Sequence, residues 1–365
     1  MYLKRLSLRN FRNYERADVC FSPGCNLVLG DNGQGKTNLL EAISLVSTGR
    51  SFRTHALADL ISFGKRFFYL EAEFHKEGVT QTIKIYYDTK VRKIEHNETS
   101  YQALHALLGT LPSVFITPDD LTLITGSPSE RRRFLDLHCA QTDPLYLKQL
   151  GRYFRALKQR NELLRTSSQA TLTTWEQIMA TAGAYLSEKR AEAVITLEDK
   201  LSVWGEFLSE QRDTLSLSYR PSPASLKASP NKQLHLEEAF KQLRSKECLV
   251  GNTLIGAQRD DVAIELSSRS AKTFSSEGQK RSCLAALKLG QWELMAHMLG
   301  EKPLLGIDDF GVQLDDTRRI ALQKRLNEFG QIFLTTPELK SSSLEDFPLA
   351  QLFHVTAGHI QKCTS

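Results

Sequence analysis

The sequence predicts an α/β fold assembled from the two ends of the chain, with a helical lobe inserted between them. Three observations carry this. Strand-like runs stand near both ends, a glycine-rich strand-to-helix motif occupies residues 27–43, and a helical period takes over from about residue 130.

In chain order, Leu3, Leu6 and Leu8 mark a first strand, and residues 26–29, after the turn Ser22-Pro23-Gly24, a second. Residues 67–75 and 79–88 alternate apolar and polar around Lys76-Glu77-Gly78, the pattern of a hairpin. Further on, Leu147, Leu150, Phe154, Leu157, Asn161 and Leu164 step by three and four, a heptad seam with one polar member. Thr166-Ser167-Ser168-Gln169 breaks it, and a longer helical pattern follows through Ile178, Ala182, Leu186, Ala193, Leu197, Leu201, Trp204 and Leu208.

Two consecutive helices, roughly 30 and 55 Å long, form either a short antiparallel arm over about 145–211 or the core of an ordinary helical subdomain. The stretch 221–230 reads as a loop, 252–255 and 262–266 as strands, 277–299 as a helix. An apolar strand at 304–307, a helix at 315–329 and a strand at 331–335 complete the pattern. The expected division is therefore 1–115, 116–299 and 300–365, the outer two pieces forming one lobe.

Composition excludes several classes. A chain of 365 residues, 41% hydrophobic and 24% charged, is neither disordered nor a small disulfide scaffold. No apolar run approaches the ~20 residues of a membrane span, and the alternating N-terminus lacks the apolar core of a signal peptide. The six cysteines show no C-x-x-C, so most are expected as buried thiols in a reducing compartment, and the expected location is cytoplasmic with no membrane. Lys and Arg exceed Asp and Glu by 47 to 42, which carries meaning only where the excess clusters.

The chemistry is concentrated in three motifs. Leu27-Val28-Leu29 leads into Gly30-Asp31-Asn32-Gly33-Gln34-Gly35-Lys36-Thr37 and on through Asn38, matching G-x-x-x-x-G-K-[ST] in its required strand–loop–helix setting. Glycines let backbone N–H groups curl around phosphates, and the helix N-terminus adds its positive end. Lys36 is expected on the β/γ-phosphates and Thr37 on Mg²⁺, so the chain is expected to bind a nucleoside triphosphate, which the resemblance given below makes ATP, together with Mg²⁺. Far downstream, Leu304-Leu305-Gly306-Ile307 ends in Asp308-Asp309. Alone, this is a strand ending in turn or capping residues; beside a phosphate loop, Asp308 would hold Mg²⁺ and Asp309 would orient or deprotonate water. Ser276, Gly278 and Gln279, at the start of a helix, offer a hydroxyl and free N–H groups to an anion, or simply cap the helix.

The order of these motifs resembles the ABC-type ATPases, whose Ser-x-Gly-Gln signature sits over the partner's ATP; Leu314-Asp315 then resembles their D-loop. A narrower resemblance is carried by Asn10-Phe11-Arg12-Asn13-Tyr14, the phosphate loop, and Gly49-Arg50-Ser51-Phe52-Arg53. Phe115-Ile116-Thr117-Pro118-Asp119-Asp120-Leu121, Gly126-Ser127-Pro128, Arg131-Arg132-Arg133-Phe134-Leu135-Asp136 and Gly256-Ala257-Gln258-Arg259-Asp260-Asp261 extend it over nearly the whole chain. These segments resemble the RecF family. That resemblance implies an SMC-like head and a weak ATPase of DNA repair, replication and the SOS response, used as a switch. Such a protein dimerises on ATP, binds gapped, single-stranded and duplex DNA, and works with RecR and RecO to help RecA load. By analogy with SMC-like heads Arg12 contacts phosphate; it reads equally as a surface arginine.

The chain departs from the family at Ala257-Gln258, where Pro-His is usual, at Gly306, where an aliphatic residue is usual, and at Gly311-Val312-Gln313-Leu314-Asp315. Thr335 and Thr336 stand where transporters carry a switch histidine. A glycine weakens a strand, so slow hydrolysis is expected.

Residues 131–165 hold the clearest basic cluster, with Arg152, Arg155 and Lys158 as the expected DNA contacts, by backbone phosphates rather than base stacking. A solvated helix face is the plain alternative, and Arg131–Arg133 fit contacts inside the lobe as well. Two other classes compete: a transporter motor, against which stand the basic cluster and the missing histidine, and a nuclease-coupled or chromosome-structural ATPase, for which the chain has no long coiled coil.

Overall fold

A computed structural model describes residues 1–166, 171–209, 214–310, 320, 322–323, 325–337 and 350–363. The chain divides into two compact units: Met1–Leu121, Phe207–Glu210 and Ser276–Ser365 form the first, Thr122–Glu206 and Gln211–Ser275 the second.

The first unit opens with the hairpin β1 (Tyr2–Phe11) and β2 (Tyr14–Cys20), then β3 (Cys25–Leu29) and helix α1 (Lys36–Thr48). β4 (Phe67–Lys76), β5 (Val79–Asp88), β6 (Arg92–His96) and β7 (Thr99–Tyr101) follow as a meander, and β8 (Ser113–Ile116) ends this stretch. The second unit contains α2 (Thr122–Thr125), α3 (Pro128–Thr142), α4 (Pro144–Arg165), α5 (Leu172–Ser209), β9 (Leu215–Arg220), α6 (Lys232–Val250), β10 (Asp261–Leu266), β11 (Arg269–Ser270) and α7 (Ala271–Phe274). The last residues of α5 count with the first unit. The chain returns to the first unit through α8 (Glu277–Leu299), β12 (Leu304–Ile307), β13 (Ile332–Thr336), β14 (Gln351–Thr356) and β15 (His359–Lys362).

Two six-stranded sheets build the first unit. One is antiparallel, in the order β2-β1-β4-β5-β6-β7; the other runs β15-β14-β3-β13-β12-β8, with β15 antiparallel and the rest parallel. Helix α1 packs against β4 and β5 of the first sheet and β8 and β13 of the second. It is buried around most of its circumference, with Leu39, Leu40, Ala42, Ile43, Leu45 and Val46 supplying the apolar contacts. Leu3 and Leu6 both face this core despite their odd spacing because the strand register shifts between Leu3 and Arg5. The expected hairpin is present: Lys76 pairs with Val79, and Glu77 and Gly78 both take positive φ, the two-residue turn that matches strand twist.

Several expectations are corrected. Helix α8 belongs with the first unit, so the division falls at 121/122 and 275/276 rather than at 115/116 and 299/300. Residues 252–255 are loop, not strand, because their donors go to side chains: the Thr253 N–H and hydroxyl to Asn161 Oδ1, the Leu254 N–H to Glu247 Oε1 at 2.7 Å. Of the helix expected at 315–329, residues 315–319, 321 and 324 lie outside the described residues; 320, 322 and 323 are helical, and the span ends in a 3₁₀ turn, Leu326–Glu328. Only two of the six cysteines, Cys139 and Cys283, are buried.

In the second unit α4 and α5 run antiparallel, with Tyr146 against Arg190, Tyr153 against Gly183 and Arg160 against Glu176. Helix α6 packs on α4 as well, so the pair is not free-standing there. The seam of α4 lies on Tyr146, Tyr153, Ala156, Arg160 and Leu164, rotated from the expected one, and Phe154 faces solvent. Apolar periodicity does not reveal it because one of its members, Arg160, is an arginine. Arg160, fully buried, donates to Glu176, Glu247 and Thr253.

Candidate nucleotide site

Strand β3 ends at the phosphate loop and β12 ends at Asp308-Asp309, with β13 between them. This order brings residues from opposite ends of the chain together. The Thr37 hydroxyl lies 3.0 and 2.9 Å from the two carboxylate oxygens of Asp308. The Lys36 ammonium, buried, donates to the carbonyls of Gly30 at 2.6 Å and Asp31 at 2.9 Å. Burial pulls the Lys36 pKa below its ordinary value, opposed by the carboxylates of Asp309, Asp308 and Asp31. Burial pushes the Asp308 carboxyl up, while the Thr335 and Thr37 hydroxyls pull it back.

The loop conformation requires glycine at two places. Gly30 has φ +144, and a Cβ there would lie 2.3 Å from the Val355 carbonyl oxygen; Gly35 has φ +124 and is enclosed by Asn13 and Tyr14. Two turns brace the loop. From the β1–β2 turn, the Asn13 amide donates to the Gln34 carbonyl at 2.7 Å and the Tyr14 hydroxyl to the Gly35 carbonyl at 2.8 Å. From the β14–β15 turn, the Ala357 N–H donates to Gln34 Oε1 and the Gly358 N–H to the Gln34 carbonyl. Sequence reasoning missed the second brace, since β14 and β15 lie far from the motif in the chain.

A cleft of about 510 Å³ opens above the loop. Asn32, Gly33, Gly35, Lys36, Thr37 and Asn38 line one side, Asp308 and Asp309 another. Phe52, Arg53, Thr117, Pro118 and Asp119 also line it and were not expected as site residues; the only signal was that they lie in the RecF-like segments. Arg53 is held by the Asn38 side-chain carbonyl at 2.9 Å. Arg12 is absent from the lining. Its guanidinium makes two bonds to the buried carboxylate of Glu41, at 2.8 and 2.7 Å, and one to the Asp59 carbonyl. Glu41 also accepts from Ser51, whose hydroxyl receives the N–H groups of Arg53 and Thr54. Arg12 is thus linked through Glu41 and Ser51 to the segment that carries Phe52 and Arg53.

Ser276 is the N-cap of α8, and its hydroxyl accepts the Gln279 N–H at 3.2 Å. The Gln279 side chain in turn accepts the Ser276 N–H at 3.0 Å, a reciprocal capping box, with Gly278 in the first turn and open space around it. Downstream on the same helix, Lys288 pairs with Asp120 at 2.8 Å, and Asp120 also accepts from Thr117 of the cleft wall. The D-loop-like Leu314-Asp315 lies outside the described residues.

The donor set fits a nucleotide with Mg²⁺. A threonine hydroxyl beside a carboxylate supplies the hard oxygens that Mg²⁺ takes together with phosphates and water. Among the described residues no group of three or more His, Cys, Asp or Glu could hold an ion unaided, and no helix is long and apolar enough to cross a membrane.

The basic cluster divides in two. Arg131 pairs with Asp261 at 2.8 Å, Arg132 donates to the Asp260 carbonyl at 2.6 Å, and Arg160 is buried. Lys148, Arg152, Arg155 and Lys158 are exposed along α4. Of the family departures, Gly306 is matched by packing, Ala257-Gln258 sit in a hydrogen-bond network, and 311–315 lie outside the described residues. A Cβ at Gly306 would lie 2.4 Å from the Phe115 ring, its partner on β8, so the aromatic fills the space an aliphatic residue would take. Gln258 accepts from the Tyr153 hydroxyl and donates to the Ile255 carbonyl, and the Ala257 carbonyl accepts from Arg190.

Comparison with known proteins identifies the family and the fold. The model for the RecF/RecN/SMC N terminal domain matches residues 2–359. The DNA replication and repair protein RecF of Protochlamydia amoebophila (strain UWE25) is 43% identical over 343 residues, covering 93% of this chain and 95% of that protein. The protein of that name from Chlamydia caviae is 36% identical, covering 99% and 98%. A solved structure of the recombination mediator protein RecF with ATP, in the RecFOR pathway, superposes with a TM-score of 0.91 at 28% identity, covering 100% of this chain and 98% of that one. An Smc head bound to the C-terminal winged-helix domain of ScpA shares the fold, with a TM-score of 0.57 at 14% identity and coverage of 100% and 97%. With its phosphate loop, acid pair and capped α8 on an SMC-like ABC ATPase head, the chain belongs to the RecF family.

Proposed function

We propose that this chain is an ATP-dependent DNA-binding protein of recombinational repair and replication, dimerising on ATP as a clamp at gapped DNA. The observation that carries the reading is the contact between Thr37 and Asp308, 271 positions apart in sequence. Lys36 binds the β/γ-phosphates, the loop N–H groups hold the remaining charge, and Thr37 and Asp308 hold the metal. Mg²⁺, when bound, offsets phosphate charge. Asp309 orients water and accepts its proton. Ser276, Gly278 and Gln279 cover the partner's nucleotide: the cap satisfies the Ser276 and Gln279 N–H groups and leaves the N-terminal end of α8 facing solvent. Hydrolysis is slow and serves as a switch. Arg12 supports the cleft wall rather than touching phosphate. Solved structures of a recombination mediator protein RecF in the RecFOR pathway support RecR and RecO as partners; help with RecA loading and a cytoplasmic location complete this reading.

Arg152, Arg155 and Lys158 supply sequence-independent contacts to DNA phosphates. Two copies of this stripe in a dimer raise avidity through effective concentration. The deciding experiment measures binding to duplex, single-stranded and gapped DNA with and without ATP, beside light scattering for dimerisation. ATP should tighten binding to DNA containing duplex and drive dimerisation; Lys36→Ala should lose both, with ATP binding undetectable by calorimetry. Ser276→Arg should bind ATP as a monomer and fail to dimerise. Equal DNA affinity with and without ATP overturns the clamp.

A further inference from the structure

Strand β13 separates the strand of the phosphate loop from the strand of the acid pair, and its end reaches the point where the two converge. Thr335 stands there, buried. Its hydroxyl donates to Asp308 Oδ1 at 2.6 Å and accepts the backbone N–H of Asp309 at 2.9 Å. The direction is set by the partners, since a carboxylate only accepts and an amide N–H only donates. Asp308 is thus held from two sides, by Thr37 on α1 and Thr335 on β13. Asp309 has φ +50, the left-handed region that non-glycine residues seldom adopt, and the bond to Thr335 fixes its amide in that conformation.

We propose that Thr335 is a positioning residue of the hydrolytic site. One hydroxyl sets the Asp308 carboxylate for the metal and locks the Asp309 backbone so that its side chain stays on the cleft wall. In transporters a histidine occupies this strand end; here both polar contacts of Thr335 go to the acid pair. The proposal rests on the roles given above to Asp308 and Asp309.

The test replaces Thr335 by Val, which keeps the shape and removes the hydroxyl, and by Ser, which keeps the hydroxyl and removes the methyl. Thr335→Ala is the substitute should Thr335→Val not fold. Calorimetry measures ATP affinity with and without Mg²⁺, and turnover is followed separately. Loss of an outer-layer partner to a metal ligand typically costs about 10–100-fold in affinity or activity. Thr335→Val should lose turnover on that scale and need several-fold more Mg²⁺ to reach half of the metal-dependent gain in ATP affinity, with metal-free ATP affinity unchanged. Thr335→Ser should recover both. Wild-type turnover and Mg²⁺ dependence in Thr335→Val overturn the proposal, and so does equal impairment of the Val and Ser variants, which would make the side chain's shape the cause. Asp309→Asn is measured in parallel. Normal turnover in Asp309→Asn removes the base from the proposed function, and Thr335 is then judged by Mg²⁺ dependence alone: a shift in the Val variant sustains it, no shift overturns it.

Discussion

At the centre of the first unit, Leu39, Leu40, Ile43 and Val46 of α1 meet Leu6, Leu8, Phe68 and Leu70 of one sheet and Phe333 of the other. At the centre of the second unit stand two fully buried guanidinium groups. Arg160 joins α4 to Glu176 of α5 and Glu247 of α6, with its guanidinium 5.0 Å from the Phe240 ring centre. Arg190 of α5 donates to Asp136, Asp260, the Tyr146 hydroxyl and the Ala257 carbonyl. Apolar burial is non-directional and tolerates repacking. A buried arginine with several carboxylates and carbonyls around it is satisfied in few arrangements, so it specifies helix register at the cost of desolvation. The unit that carries the nucleotide site has a stiff apolar floor under a polar rim; the helical unit is keyed by polar nodes.

The largest effect should come from removing a node. Arg190→Ala leaves Asp136 and Asp260 without their shared cation, and breaking a buried pair costs about 3–5 kcal/mol. Denaturant unfolding should show the loss; a cost below about 1 kcal/mol would mean that the node does not key the unit. Replacing Arg160, Glu176 and Glu247 together by apolar residues of similar volume should cost much less than Arg160→Ala, because no lone charge then remains. Arg244, which also pairs with Glu176, would need replacing in the same variant.

Next in size is a pH effect in the second unit. His138 of α3 is buried, its Nδ1 has no hydrogen-bond partner among the described residues, and burial pushes its pKa down to about 4. Above the unfolded value, near 6.5, both states are neutral and stability is complete. As pH falls below 6.5 the unfolded chain takes up a proton that the folded one refuses, so stability declines until about pH 4 and then levels. Between pH 7 and 5 the wild type should lose about 2 kcal/mol more than His138→Gln. Parallel curves for the two proteins would remove His138 from the acid response.

In the apolar unit, Gly306→Val pushes a branched side chain into Phe115 and Leu40, and overpacking of this kind costs about 1–3 kcal/mol. Pairing it with Phe115→Ala should recover part of the loss, measured as a double-mutant cycle. No coupling would show that the ring and the glycine are independent. The smallest effect on stability belongs to Arg152, Arg155 and Lys158: their triple alanine variant should change unfolding by less than about 0.5 kcal/mol per site. In DNA binding it should flatten the salt dependence, by about 0.9 in log K per lost phosphate contact. An unchanged slope would move the DNA surface elsewhere.

The division between what the sequence determined and what folding decided follows the range of the interactions. The phosphate loop was legible because its chemistry is local: eight consecutive residues, Gly30 to Thr37, carry the glycine geometry, the lysine and the hydroxyl. The hairpin at Glu77-Gly78 and the cap at Ser276 are local in the same sense, set by backbone preference within a few residues. The acid pair was legible only by association with that loop. What the tertiary structure decided is everything that joins distant segments: the β14–β15 turn bracing Gln34, Thr335 between Asp308 and Asp309, and the return of Arg12 to Glu41. The rotated seam of α4 belongs to this class too. Periodicity assigns arginine to solvent, and Arg160 is inside because Glu176 and Glu247, from two other helices, arrive to meet it. A charge enters a protein core only with its partners, and partners brought from other segments by folding cannot be read from the pattern of one helix.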